Sequence, residues 1–417
     1  MLTKFSFKNF KSFRDKATLD LNAAKITEFS DSVITIGGNK VLPAAAIFGA
    51  NASGKSTVFS AFEYMSNYVA YSFNYGDEKE KFSMFRPTPF LFDKKSATAE
   101  SEFEVYFTIP GDKLEKTYNY GFCINQTGVS KEWLNVKSRT ARSYKTVFTR
   151  NGNFLDLPGI PQRSRENISI SLEKQVLIIS LGAKLRIDKC KMIRDWFLNN
   201  EFANFGNPFS NLLMSRMIPE QFVDDVKTQK KVIEYFNTFD NHIRGFNIKK
   251  SPLERDDDDA CYEICSYHNM IDSNDLAEIP LEEESAGTLK MFAIFPKLQE
   301  VLTNGGVFFV DELNSRLHPL LVRNILNMFI NPSTNPNHAQ LVFTTHDTWQ
   351  MSNKILRRDE IWFTEKNANG ISKLYSLADY ENSGIHIRKD ENYEKNYLEG
   401  KYGSVPNTKQ INMIEDN

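Results

Sequence analysis

The segment Gly49-Ala50-Asn51-Ala52-Ser53-Gly54-Lys55-Ser56-Thr57 carries the densest chemistry in the chain. Gly49, Gly54, Lys55 and Ser56 fit G-x-x-x-x-G-K-[ST], the spacing of a phosphate-binding loop. The glycines let the backbone wrap an anion, Lys55 is a point charge for β- and γ-phosphates, and the Ser56 hydroxyl can reach Mg²⁺. Asp311 and Glu312 follow the apolar run Val307-Phe308-Phe309-Val310, at the strand end where open α/β sheets place ligands. Asp311 is suited to hold Mg²⁺ through water, and Glu312 to polarise an attacking water. His346 closes a further apolar run, Leu341–Thr345, from where it can touch a γ-phosphate. Ser285-Ala286-Gly287-Thr288 opens another helix. A plain helix cap is one reading of Ser285; a second γ-phosphate-binding element, which shares the Ser-x-Gly shape, is the other.

These residues need elements to hold them. Ala44–Phe48 reads as a buried strand before the loop, and Val58, Phe59, Phe62, Met65 and Val69 recur at helical spacing after it. Free backbone N–H groups then face the anion from a helix N-terminus. Val307–Val310 has the continuous apolar character of a central parallel strand. Leu289, Phe292 and Phe295 give the helix after Ser285 its apolar face, which Pro296 should kink or interrupt. Ile361-Trp362-Phe363 and Leu374-Tyr375 are suited to complete the same sheet. Phe103, Val105, Phe107 and Ile109 alternate, as do Tyr118, Tyr120 and Phe122, which predicts an antiparallel sheet in the first lobe. Ile193, Trp196 and Phe197 fit one helical face, and Phe222, Val223, Val226, Ile233 and Phe236 another. The middle of the chain is therefore expected to be a compact helical subdomain. It has no sustained heptads for a coiled-coil arm.

The chain has 417 residues, long enough for two or three domains, with 41% hydrophobic and 25% charged residues. A formal net charge of −2 excludes a strongly basic nucleic-acid-coating protein, though not a local basic groove. Arg139, Arg142, Lys145, Arg150, Arg163 and Arg165, interleaved with Tyr144 and Phe148, read equally as a nucleic-acid or partner surface and as a solvated loop. Cys261, Cys265 and His268 read as strand or loop residues, with zinc as the alternative, and Asp256–Asp259 as a solvated loop or a metal site. No run reaches the length of a membrane span, and Met1–Phe5 has no apolar signal core. The expectation is a cytoplasmic protein with no membrane partner.

Taken in order, these elements resemble the ABC-type AAA ATPase heads of the SMC, RecF and OLD-like superfamily. The opening Asn9-Phe10-Lys11-Ser12-Phe13 looks like that superfamily's first-strand segment. Leu317-His318-Pro319 is similar to the OLD-like branch, and Tyr397–Pro406 to the ending of RloA/AbiL-type anti-phage defence ATPases. The resemblance implies an α/β fold, an ABC-type head with a mixed sheet and a helical insertion between Walker A and signature motif. It divides the chain into a first ATPase lobe over 1–180, a helical insertion over 181–284, and 285–417 completing the core with a C-terminal docking tail. It makes Gly49, Asn51, Ala52, Ser53, Gly54, Lys55, Ser56 and Thr57 the nucleotide-binding loop, and Ser56 and Asp311 the Mg²⁺ site. Glu312 and His346 become the catalytic pair, with Ser285, Ala286, Gly287 and Thr288 a signature acting in trans. Ala52 stands where SMC-type loops commonly have glycine, Asn314-Ser315-Arg316 varies from the usual D-loop, and no glutamine stands out as a Q-loop.

The function implied is ATP hydrolysis with Mg²⁺ by a homodimer or higher homo-oligomer. It would be the sensor or regulator of an anti-phage system, triggered by a nucleic acid or phage protein and controlling a separate effector encoded nearby. A RecF-like DNA-repair ATPase and a stand-alone ATPase are the alternatives. OLD nucleases add a nuclease domain after the ATPase; only 71 residues follow His346 here, so any nuclease is expected to act in trans.

Overall fold

The computed structural model describes residues 1–75, 82–83, 85–109, 112, 115–207, 222–223, 225–237, 242–250, 262–380 and 387–406. Cys261 and Asp256–Asp259 lie outside them.

A six-stranded sheet runs Glu201–Asn204, Val307–Asp311, Gln340–Thr344, Ala44–Phe48, Ile361–Lys366, Ser372–Ser376 in spatial order. The first five strands are parallel and the last is antiparallel, so the sheet is mixed as expected. Both faces are covered, and side chains two apart fall into the same core. Ala45, Ile47, Val307 and Phe309 join one hydrophobic cluster. Ala44, Ala46, Phe48, Phe308 and Val310 join the other. This two-sided burial is why these strands read as unbroken apolar runs rather than alternating ones.

A seven-stranded antiparallel sheet forms the first lobe, with Leu2–Lys8 and Ala17–Asp20 at one edge and Ser101–Thr108, Thr117–Asn125 and Gly128–Lys137 beside them. The alternating aromatics meet across strands as Phe103 opposite Phe122, Val105 opposite Tyr120 and Phe107 opposite Tyr118. The helix Lys55–Tyr71 lies between the two sheets. Phe62 meets Phe5 of the antiparallel sheet at 5.1 Å between ring centroids, and Phe59 meets Phe309 of the parallel sheet at 5.5 Å. Each such fully buried ring stabilises the fold by about 1.5–3 kcal/mol over an exposed one. Gln340 ties the sheets further, accepting from Leu2 N–H and donating to the carbonyls of Leu2 and Leu42.

Three expectations are corrected. The middle of the chain is not helical throughout. Asp188–Leu198 and Val226–Phe236 are helices, but Ile243–Lys250, Tyr262–Asn269 and Leu276–Pro280 form a three-stranded antiparallel sheet. Ile264 and Ser266 point inward two residues apart, a strand period that polar neighbours hide in the sequence. On the helix Val226–Phe236 the buried face is Thr228, Val232, Tyr235 and Phe236, while Val226 is exposed. Nor does Pro296 interrupt its helix, which runs unbroken from Ala286 to Asn304. Proline inside a helix costs about 3 kcal/mol. Apolar residues buried on both sides of it, from Met291 to Val301, offset that cost.

Candidate nucleotide-binding site

The loop between Phe48 and Lys55 is shaped by close contacts that only glycine permits. A Cβ on Gly49 (φ 152°) would lie 2.5 Å from the Thr364 carbonyl oxygen, and one on Gly54 (φ 121°) 2.8 Å from Ser372 Oγ and 2.9 Å from Phe13. Ala52 takes φ 61°, a left-handed conformation that costs a non-glycine residue about 1–2 kcal/mol. At position 52 the loop therefore takes a left-handed backbone conformation with alanine in place of glycine. Ser53 is buried and shares a 2.6 Å hydrogen bond with Thr364. The turn Asn9–Phe13 buttresses the loop from below. Ser12 Oγ lies 3.3 Å from Thr57 Oγ1 and 2.9 Å from Ser372 Oγ, which donates to the Ser53 carbonyl. Asn51 and Ala52 remain exposed at the loop's crest.

Lys55 is 5% exposed and donates to the carbonyls of Gly49 (2.9 Å) and Ala50 (3.2 Å). Burial pulls its pKa down, against the charges of Glu312 and Asp311. Its Nζ also lies 3.4 Å from His346 Nδ1, and His346 Nε2 lies 2.8 Å from Glu312 Oε1. Lys55, His346 and Glu312 thus form one chain of contacts, drawn from three separate strand ends. Asp311 is buried, accepts from Thr344 Oγ1 at 2.6 Å and is hydrogen-bonded to Ser56. Burial pushes the Asp311 carboxyl up. Burial pushes Glu312 up as well, but the His346 hydrogen bond and the charges of His346, Lys55 and Lys290 outweigh it and hold Glu312 below the ordinary range. The fold thus gathers Lys55, Ser56, Asp311, Glu312 and His346 into one place.

Ser285–Thr288 stands apart from that cluster. Ser285 Oγ accepts from Thr288 N–H at 3.1 Å and lies 2.8 Å from Thr288 Oγ1, so it is a helix cap. Ser285 and Ala286 are not buried in the chain, which leaves the turn open to a second molecule. The preceding Glu284 is bound by Ser266 and, at 2.7 Å, by His268 Nε2. His268 is thereby committed to a carboxylate that joins the three-stranded sheet to the turn at Ser285.

Several residues that sequence spacing does not mark also stand at the site. Thr344 binds both acids, accepting from Glu312 N–H at 2.9 Å while donating to Asp311. Asn314 Oδ1 accepts from Thr345 Oγ1 and from His346 N–H. Asn204 ends the edge strand in register with Asp311, and its segment brings Gly206 beside Asp311 and Glu312. Lys11 feels the charges of Glu63 and Asp311, although burial lowers its pKa. The C-terminal segment also reaches the loop. Ser404 accepts from Ala50 N–H at 2.9 Å and donates to the Thr364 carbonyl at 2.6 Å. Tyr397, Val405 and Pro406 help to wall a cavity of about 780 Å³ over Gly49–Ser53 and His346. The Ala50, Thr364 and Ser404 contacts span the whole chain, and no local spacing signals them.

Other sequence candidates do other things. Arg150 is buried and donates to the carbonyls of Gly152, Val176 and Glu173, Arg165 donates to those of Ile160 and Pro158, Arg139 pairs with Glu115, and Phe148 is core. The basic cluster is therefore not one free surface. His318 caps the helix Pro319–Ile330, accepting from Leu320 N–H at 3.2 Å with proline at the first turn. No helix among the described residues is long and apolar enough to cross a membrane.

Residues 44–348 match the profile of a family described as "AAA domain, putative AbiEii toxin, Type IV TA system". Among solved structures the chain is similar to the SmcHead bound to the C-winged helix domain of ScpA, at 16% identity and a TM-score of 0.46 over 90% of this chain and 97% of that one. It is similar also to an SMC head domain from Thermotoga maritima, at 13% identity and 0.42 over 90% and 98%. A third is an Smc head domain with an extended coiled coil bound to the C-terminal domain of ScpA derived from Pyrococcus furiosus, at 15% identity and 0.43 over 90% and 96%. No curated protein matches the chain.

Proposed function

This chain belongs to the AAA-domain family matched over residues 44–348, and from that premise we propose that it is an Mg²⁺-dependent ATPase whose site is completed head-to-tail by a second copy. The observation that carries the reading is the convergence of Lys55, Glu312 and His346 beside a glycine-shaped phosphate loop. Gly49–Thr57 wraps the phosphates, and Lys55 exchanges its bonds to the loop carbonyls for the β- and γ-phosphates. Asp311 and Ser56 fit a divalent cation, because a buried carboxylate with a raised pKa and a neighbouring hydroxyl are hard oxygen donors short of a positive charge. They would hold Mg²⁺, which neutralises charge on the phosphates when bound. Glu312, kept ionised, accepts from and orients the attacking water; the new P–O bond forms as the β–γ bridge breaks, leaving ADP and phosphate. His346 fixes Glu312 and faces the γ-phosphate. Ser285–Thr288 of the second copy supplies the γ-phosphate contacts missing from one subunit.

The biological reading is the regulator of an anti-phage system that controls a separate effector, a nuclease or toxin. The toxin–antitoxin wording of the family description supports it, together with the likeness of Leu317-His318-Pro319 and Tyr397–Pro406 to defence ATPases. The chemical reading is tested by two variants. Lys55→Ala should lose nucleotide affinity, because it removes the charge facing the phosphates. Glu312→Gln should keep affinity and lose turnover, because it spares Asp311 and Ser56 but removes the polarising carboxylate. Isothermal titration and phosphate release on both decide it, and full turnover in Glu312→Gln would sink the assignment.

A further inference from the structure

Glu312 occupies a backbone conformation that it would not choose. Its φ is 57°, and Arg316, at the end of the same turn, has φ 59°. A left-handed non-glycine residue persists only where its surroundings over-determine it. On the sheet side Thr344 holds Glu312 N–H and Asn314 is pinned by Thr345 and His346. On the other side stands Lys290.

Lys290 is 6% exposed. Its Nζ donates to the carbonyls of Glu312 (3.3 Å), Leu313 (2.8 Å) and Ser315 (2.7 Å), and lies 3.8 Å from the centroid of the Phe205 ring. An ammonium has three donors, and three converging carbonyls use them all. A residue placed only for packing would be apolar, since a buried cation costs heavily unless it is paired. Burial lowers its pKa, and the charge of Glu312 opposes that shift. Lys290 also belongs to the helix that Ser285 caps, and in that helix Gly287 packs its α-carbon face against the Arg316 carbonyl. The first turn of that helix and the turn carrying Glu312 are therefore joined at two points, one of them through a charge.

We propose that Lys290 is a positioning residue: through the three carbonyls of the Glu312 turn it sets the catalytic carboxylate, and it ties that carboxylate to the helix whose tip a second copy engages. Its contacts are with the backbone of the Glu312 turn and the Phe205 ring. The inference rests on Glu312 being the residue that orients water.

Lys290→Met removes the donors while keeping a linear side chain. It should lower kcat about 10²-fold, the effect of misplacing a catalytic group by about 1 Å, with ATP affinity unchanged. In a Glu312→Gln background Lys290→Met should take nothing further from the residual single-turnover rate, since the group it positions is gone. A loss that adds in the double variant, or a parallel loss of ATP affinity, overturns the proposal and marks Lys290 as structural. If Lys290→Met does not fold, Lys290→Arg carries the test. Its planar fork cannot converge on three carbonyls at one point, so kcat should fall with affinity retained, and full kcat overturns the proposal. Full turnover in Glu312→Gln alone would instead remove the ATPase reading beneath it, so the two failures are distinct.

Discussion

Glu132 and Glu360 are buried carboxyls far from the phosphate loop. Glu132 accepts from Ile178 N–H, Ile179 N–H and Tyr120 OH, capping a helix from across the antiparallel sheet. Burial raises it to about 7 despite those bonds. Glu360 immediately precedes the strand beside the phosphate-loop strand, and burial raises it to about 8. Its Oε1 has no hydrogen-bond partner, which suits a protonated acid better than an anion. A carboxyl with a raised folded pKa holds its proton more tightly in the folded state. Its contribution to stability is complete below the unfolded value of about 4.5 and is lost as pH rises through the folded one. Stability should therefore fall between about pH 5 and pH 8, each pH unit between the two values being worth ~1.4 kcal/mol per group. Urea midpoints across that range measure it. Glu360→Gln, neutral at every pH, should flatten the fall, and an unchanged slope would contradict the account. Lys55, Asp311, Glu312 and His346 are legible in the sequence because each sits a fixed number of residues from a strand end. Lys290 and Thr344 are not, because their partners are backbone and carboxylate groups of a turn whose conformation no sequence spacing encodes.

The same contrast holds for whole elements. Strands buried on both faces and the helix Lys55–Tyr71 are read from apolar spacing, since their environment is uniform along their length. The three-stranded sheet is hidden by its polar surface, and the role of the C-terminal segment by its distance in sequence. As a docking tail that segment is expected to pack Tyr397, Tyr402 and Pro406 against the ATPase or its partner, and its contacts are with the ATPase core itself. Tyr397 and Tyr402 are buried against Phe363, Tyr375 donates to the Tyr402 carbonyl, and Ser404 holds Ala50. Tyr402→Ala should cost about 3–5 kcal/mol of stability, as large-to-small changes at buried rings do. It should also weaken ATP binding, because the loop loses its strap. Denaturant titration and nucleotide binding on one preparation test both, and normal ATP affinity in a destabilised protein would show that the strap does not shape the loop.

On the scale of the molecule, one chain holds the phosphate loop, both acids and His346 together, and presents Ser285–Gly287 outward on the helix that Lys290 locks to Glu312. Two copies placed head-to-tail would each complete the other, and nucleotide would be the glue between them. Ser285→Arg should put a bulky cation where the partner's γ-phosphate docks while leaving each chain's own phosphate loop intact. Lys55→Ala does the reverse. Neither variant alone should hydrolyse ATP. In a dimer of one Lys55→Ala chain and one Ser285→Arg chain, however, one site keeps a good loop from the second and a good signature from the first. The most direct measurement is therefore phosphate release from an equimolar mixture of the two purified variants. Random pairing in a two-fold dimer restores about a quarter of the sites, so the account predicts activity returning to about that fraction of the unmodified protein. A mixture as inactive as its components, although exchange into mixed dimers is demonstrated with differently tagged chains, would contradict a site shared between subunits.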